Sequence, residues 1–450
     1  MSETELMLLH LSDIHFHKRS GCSFDLDVDL RLSMETEAGE FIKKKGGRVH
    51  GIIITGDVVY SGKKMEYEKA ENWLTSLCEK LNCPEENIWT VPGNHDVDWD
   101  VVDGSPLLQG AHKDLRSNKT VCQINSGIEK YFCIDKSAAE LMHRPLHNYM
   151  GFNKLYEGSI KKDGSLYWEY DLPLNDGSLL RIRGLNSTLV SSKIDNAEEN
   201  KLFLGEKQVQ LPMSDKRVCY LTMCHHPLDW LKDRDTVEVY LNNRAVIQLF
   251  GHKHNQFIMA TNKFVRIVAG ATHPEREDSS WLPRYNFLGL SVSNQASVRK
   301  LIVNVYTYIW SKVDTKFIPD FDLNGSPVRE YALDLPLLEF EMDRSKMSIA
   351  AKEAQNCDEI SNGIITSAGG IENPYRKLVY RFHKLAFNVR HRIALDLHLV
   401  RDEDEGIEDA DLFKNIFLRA RDERKLELLW QKIEEAHGNR DISKNSFKGI

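Results

Sequence analysis

Five short polar clusters hold most of the chain's capacity for chemistry, and each directly follows a short apolar run. Ser12-Asp13-Ile14-His15 follows Leu6–Leu11, Gly56-Asp57 follows Ile52–Thr55, and Pro92-Gly93-Asn94-His95-Asp96 follows Ile88–Val91. Further along, His225-His226-Pro227 follows Val218–Cys224, and Gly251-His252-Lys253-His254 follows Val246–Phe250. Asp, Asn and His without cysteine suit borderline or hard divalent ions such as Mn²⁺, Fe²⁺ or Zn²⁺. Alternate residues of an extended segment point to one side, so Asp13 with His15, and His252 with His254, can each enter one site. Paired metal ions sit about 3.5–4 Å apart and polarise substrate oxygens together. Asp57, alone at the end of its run with Gly56 allowing close approach, is the natural bridge between two such ions.

Such clusters need elements that bring them to one place. Strands whose carboxyl ends meet would do so, because sites in open α/β sheets form outside those ends. Between the second and third runs, Ala70, Trp73, Leu74 and Leu77 give helical spacing over Met65–Leu81. Strand–helix–strand alternation with apolar strands predicts a sheet buried on both faces. Further strands are expected at Ser165–Tyr170, Leu179–Gly184, Phe264–Ala269, Phe287–Val292 and Lys300–Ile309. His10, inside the first strand, reads as a packed core histidine. Residues 103–165 are polar and histidine-bearing and read as an insertion or cap. There His112, His143, Arg144 and His147 face phosphate or form a solvated helix surface. The predicted organisation is a catalytic domain over 1–340, a glycine-bearing linker over 341–372 and a helical domain over 373–450. In the last, Leu378, Phe382, Leu385, Val389 and Ile393 follow Pro374 at helical spacing. Leu412 with Ile416, then Leu426, Leu429, Trp430 and Ile433, give two more amphipathic segments.

The chain has 450 residues, 41% of them hydrophobic and 28% charged, which excludes disorder as a whole. Its 59 basic and 67 acidic residues leave a net charge of −8, which argues against wrapping nucleic acid by bulk charge. No run reaches the ~18 apolar residues of a membrane span, and the N-terminus has no signal-peptide pattern, so no membrane association is expected. Eight cysteines form no CxxC pair, which fits reduced thiols in the cytoplasm.

Taken together, Asp13-x-His15, Gly56-Asp57, Gly93-Asn94-His95-Asp96, His225 and Gly251-His252-x-His254 resemble the motif set of the calcineurin-like metallophosphoesterases, complete and in order over about residues 5–310. The resemblance implies a four-layered α/β/β/α sandwich with two divalent ions, Mn²⁺ first among them, at the strand ends. One ion would be held by Asp13, His15, Asp57 and His254, the other by Asp57, Asn94, His225 and His252. His95 would contact the phosphate and protonate the leaving group, Asp96 would orient His95, and a hydroxide bridging the ions would attack phosphorus. His225 is chosen over His226 because it directly follows the strand; His226 then belongs to the rim or to the ligands' surroundings. His17 and His273 read as rim or loop residues, and Trp99 and Trp281 as stacking or packing residues.

The stretch Leu8–Phe16, His225-His226-Pro227-Leu228 and Gly184-Leu185-Asn186-Ser187 resemble the cyclic-nucleotide phosphodiesterase branch of that family. This implies cleavage of a phosphodiester in a nucleotide or nucleic acid, so a DNA or RNA nuclease stays open, as does a binding protein on the same scaffold. Leu412–Trp430 resembles the helical adaptor domains associated with effectors of bacterial conflict systems, which implies a protein partner. A helical cap or an oligomer contact is the other reading.

Overall fold

The structure, a computed structural model, describes residues 5–16, 28–199, 201–272, 282–295, 298–338, 387–401 and 409–436, with Leu378, Arg381, Phe382, Leu385 and Asp404. The expected linker at 341–372, and His17, His273 and Trp281, lie outside these residues. The chain divides into two compact units, Met1–Gln355 and Asn356–Ile450.

In the first unit two mixed sheets carry helices. Strands β1 (Leu6–Leu11) and β2 (Gly51–Ile54) are fully buried, as their apolar runs, broken only by His10, predict. With β3 (Ile88–Thr90) they form a parallel set. Two long antiparallel strands, Arg284–Gln295 and Val298–Ser311, extend that sheet from the other side of β1. The second sheet contains the parallel strands Leu179–Leu185, Val218–Cys224, Ala245–Phe250 and Val265–Val268. Its edge strand, Phe257–Ala260, is exposed and carries no sequence signal strong enough to predict it.

The helix Lys64–Leu81 matches its predicted spacing, burying Ala70, Trp73, Leu74 and Leu77. Its start is fixed by Glu66, whose carboxylate accepts from the backbone of Ser61 and Lys63. Asn82, left-handed at φ 50°, ends it. Residues 103–165 form a run of short helices, including Pro106–Ser117, Val121–Ile128 and Lys136–His143. Each is too short to show its period against a polar background. His112 and His143 are buried within this run, and burial pulls His112 down to about 4. Neither faces phosphate or solvent. His10 is buried in β1 beside the Thr55 hydroxyl, 3.1 Å away. The six cysteines among the described residues are free thiols. No helix among them is long and apolar enough to cross a membrane.

The second unit contains helices Phe387–Asp396, Asp409–Asp422 and Leu426–Ala436. Their core includes Leu378, Phe382, Ile393, Ile416, Leu429 and Ile433. The spacing after Pro374 predicts one unbroken helix; instead the chain bends at Leu385 and a helix starts at Phe387. Asp404 is sealed under Arg419, which grips it with both terminal nitrogens while bonding the Leu399 carbonyl at 2.9 Å. That pair holds the Asp404 carboxyl down to about 2. Breaking a buried pair from one side costs about 3 kcal/mol, so Asp404→Ala is expected to speed hydrogen exchange in Asp409–Asp422. Since the folded group titrates below the ordinary carboxyl value, the pair's contribution is complete above about pH 4 and fades as pH falls toward 2.

Candidate metal centre

All five clusters meet where the carboxyl ends of the parallel strands of both sheets converge. The loops are stitched to one another by backbone bonds. Asp13 N–H donates to the Gly56 carbonyl at 3.0 Å, and the N–H groups of Ile14 and His15 both donate to the Asp57 carbonyl. Across to the other sheet, Thr272 N–H reaches the Ser12 carbonyl at 2.8 Å, and within the second sheet Gly251 N–H reaches the His225 carbonyl at 3.0 Å. The pairs Asp13/His15 and His252/His254 do enter one site, but not by strand alternation. Asp13, His15, Asp57, His252 and His254 all have left-handed backbone, with φ between 52° and 71°. Such geometry costs about 1–2 kcal/mol per non-glycine residue and concentrates at functional sites.

Asp57 lies at the centre, 1% exposed. Its Oδ2 is 3.4 Å from His15 Nε2 on one side and 3.2 Å from His225 Nε2 on the other. Its Oδ1 accepts from His95 N–H at 2.8 Å. Beyond His15, His254 Nε2 lies 3.3 Å from Asp13 Oδ1. Beyond His225 Nε2 are Asn94 Oδ1 at 3.1 Å and His252 Nδ1 at 3.2 Å. The donors thus fall into two groups that share Asp57. Two glycines make the packing possible. A Cβ on Gly56 would lie 2.4 Å from His225 Nδ1, and one on Gly93 would lie 2.1 Å from Asp57 Oδ1.

The electrostatics follow from two carboxylates buried among imidazoles. Burial opposes ionisation of Asp57, but His225, His95 and His15 outweigh it and hold the carboxyl well below its usual value. Asp13 is held at about 2, burial being overcome by His254 and His225. Burial also works against a charge on His225, yet Asp57 and Asp13 lift it to about 9. Burial and the neighbouring His225 push His252 down to about 3. Without cations, protons balance the two carboxylates. Facing ring nitrogens of His225 and His252, 3.2 Å apart, are what a borderline divalent ion would organise, and the donor set fits two of them.

The model of the calcineurin-like phosphoesterase family matches residues 6–256. The chain belongs to that family. Within the second unit, the model of the GTPase-associated adaptor domain matches residues 374–435. A curated relative, an uncharacterised metallophosphoesterase-like protein of Bacillus subtilis (strain 168) called YydB, is 20% identical over 396 residues, 84% of this chain and 72% of the relative. Solved structures with weaker likeness include Plasmodium GAP50, with 12% identity, a TM-score of 0.35, and coverage of 82% of this chain and all of that one. Vps29 of Cryptosporidium parvum has 12% identity, a TM-score of 0.31, and coverage of 73% and 100%. At these values the likeness says nothing of activity.

Against the family's motif roles, one expectation changes. Asp96 does not touch the His95 ring. Its carboxylate accepts from Gly93 N–H at 2.9 Å, from Val58 and Val59 N–H at 3.3 Å and from the Tyr67 hydroxyl at 3.0 Å. It ties the second strand's loop to the third's. Burial, with Asp57 next, raises it to about 7. The ring of His95 is instead held by the Tyr60 carbonyl, 2.8 Å from Nδ1, and stacks on the Tyr60 ring at 5.0 Å. Trp99 leans on the other side at 5.3 Å. His226 is not on a rim: it is fully buried. Tyr60, Tyr67 and Trp230, the last 4.1 Å from the His252 ring, belong to the site, and no spacing in the sequence marks them. A cavity of about 540 Å³ lies beside the segment after His252, lined by its exposed alternates Lys253, Asn255, Phe257 and Met259.

Chelation is expected to lower the melting temperature of the protein as purified with divalent ions, and added Mn²⁺ to restore it. An ion at 100 times its Kd stabilises by about 2.7 kcal/mol. Gly93→Ala, which forces Asp57 aside, is expected to lose most of that metal-dependent gain.

Proposed function

We propose that the protein is a two-metal phosphodiesterase acting on a nucleotide-type substrate. The observation that carries this is the place of Asp57, one carboxylate oxygen within 3.4 Å of a histidine from each of two donor groups. Asp13, His15, Asp57 and His254 would hold one ion, and Asp57, Asn94, His225 and His252 the other, with Mn²⁺, Fe²⁺ or Zn²⁺ as candidates. Bound there, the pair would supply an activated water and neutralising charge for the phosphate oxygens.

The chain's own residues do the rest. The Tyr60 carbonyl only accepts, so His95 Nδ1 carries a proton and the ring is turned to exchange its other proton at Nε2. From there His95 donates to the leaving oxygen as the P–O bond breaks. Tyr60, 42% exposed and stacked on His95, offers a face for a base next to the reacting phosphate. This aromatic rim, with the likeness of the flanks to the cyclic-nucleotide branch, supports a nucleotide. The match at residues 374–435 favours a second reading, a DNA or RNA nuclease switched by a protein partner through the helical unit. A binding protein with little turnover has no use for the oriented His95.

Asp57→Asn is expected to abolish hydrolysis of bis-p-nitrophenyl phosphate while the metal-free protein still folds. His95→Ala is expected to lower kcat about 10²–10⁴-fold, the usual contribution of a general acid, with metal content unchanged. Full activity in Asp57→Asn would refute the assignment. The substrate is tested with Mn²⁺ on cyclic mono- and dinucleotides in parallel with single- and double-stranded DNA and RNA. Turnover confined to nucleotides supports the first reading, and degraded polymer the second.

A further inference from the structure

His226 is a second histidine in the strand-end cluster, and the motif roles leave it without work. Its side chain is fully buried, and its Nε2 has no hydrogen-bond partner. An unpaired polar atom in such a place is destabilising unless something binds it. Its surroundings reproduce those of His225. The His225 ring rests its Nδ1 on the Thr55 carbonyl at 2.8 Å and sends Nε2 toward Asp57 and Asn94. The His226 ring rests its Nδ1 on the Ser187 hydroxyl, also at 2.8 Å. Ser187 accepts as well from the His226 backbone N–H at 3.3 Å. With Nδ1–H donated to that oxygen, Nε2 is left with a free lone pair, the arrangement that ligating histidines show when an oxygen takes the other N–H.

The geometry gives that lone pair a destination. One ring nitrogen each from His225, His226 and His252 lies within 4.8 Å of the other two. The His226 and His252 rings are 4.7 Å apart, and Trp230 closes against both, 5.7 Å from His226 and 4.1 Å from His252.

We propose that His226, set by Ser187, is an additional nitrogen donor to the ion at Asn94, His225 and His252. This rests on the two-metal reading above and extends it. The two positions then differ in kind. One has two carboxylates and two imidazoles (Asp13, Asp57, His15, His254). The other has three imidazoles, one amide oxygen and the shared Asp57. Imidazole-rich sets suit Zn²⁺ and Fe²⁺, and carboxylate-rich sets suit Mn²⁺. The pair is therefore built to discriminate between its two ions.

The test is a titration of metal-stripped full-length protein with Co²⁺ and Zn²⁺, read by calorimetry, by visible absorption of bound Co²⁺ and by elemental analysis of the loaded protein. Wild type is expected to bind two ions. His226→Ala and the size-conserving His226→Gln are expected to weaken one of the two 10–100-fold and to change the Co²⁺ spectrum. Ser187→Ala is expected to weaken the same ion by about tenfold. The melting temperature of each metal-free variant shows whether it folds, and Ser187→Ala carries the test should both His226 variants fail to. Two ions bound with wild-type affinity and spectrum in folded His226 and Ser187 variants would overturn the inference and leave the two-metal reading standing. A wild-type protein that binds fewer than two ions would overturn the two-metal reading itself.

Discussion

A carboxylate taken fully out of water is the constraint on which the rest of this site depends. Asp57 sits 1% exposed at the end of β2, where isolation of its charge would cost several kcal/mol. The fold answers by surrounding it with His15, His225 and the His95 backbone N–H, drawn from β1, from the second sheet and from the loop after β3. No one element supplies enough compensation, so both sheets must converge at the same end. The contacts across the sheets follow from that need: His225 Nδ1 on the Thr55 carbonyl, His252 N–H on Asp13, and Thr272 N–H on Ser12.

The same convergence explains the unusual backbone. Five of the expected ligands are left-handed, and none is glycine. At about 1–2 kcal/mol each, such strain survives only where neighbouring bonds fix it from several directions. The loop hydrogen bonds between residues 13–16 and 56–58 do that for Asp13, His15 and Asp57. Asp96 does it from below, collecting three backbone N–H groups and the Tyr67 hydroxyl with one side chain. Its role is to hold the floor rigid, and the tilt of His95 is left to Tyr60.

Most of the site was legible in the sequence because its residues are few in type and tied to strand ends. Leu6–Leu11, Gly51–Ile54 and Ala245–Phe250 are apolar runs, broken only by His10 and Gln248, and polar residues just past such runs stand out. What stayed hidden depends on distance in the chain or on weak periods. Tyr60 acts through its carbonyl, which no side-chain pattern encodes. The pairing of Tyr67 with Asp96 spans 29 residues, and that of Ser187 with His226 spans 39. The helices of 103–165 are short, and their buried histidines look polar in a sequence. The period-two argument for Asp13/His15 and His252/His254 reached the right neighbours by the wrong geometry, since a left-handed turn also sends alternate residues to one place.

The segment that carries His252 and His254 serves two surfaces. His252 and His254 enter the donor cluster, while Lys253, Asn255, Gln256, Phe257 and Met259 line a cavity. The imidazole positions are tied by backbone bonds such as Ala271 N–H to the His254 carbonyl, 3.1 Å. The reactive geometry is thus held by main chain and buried polar pairs.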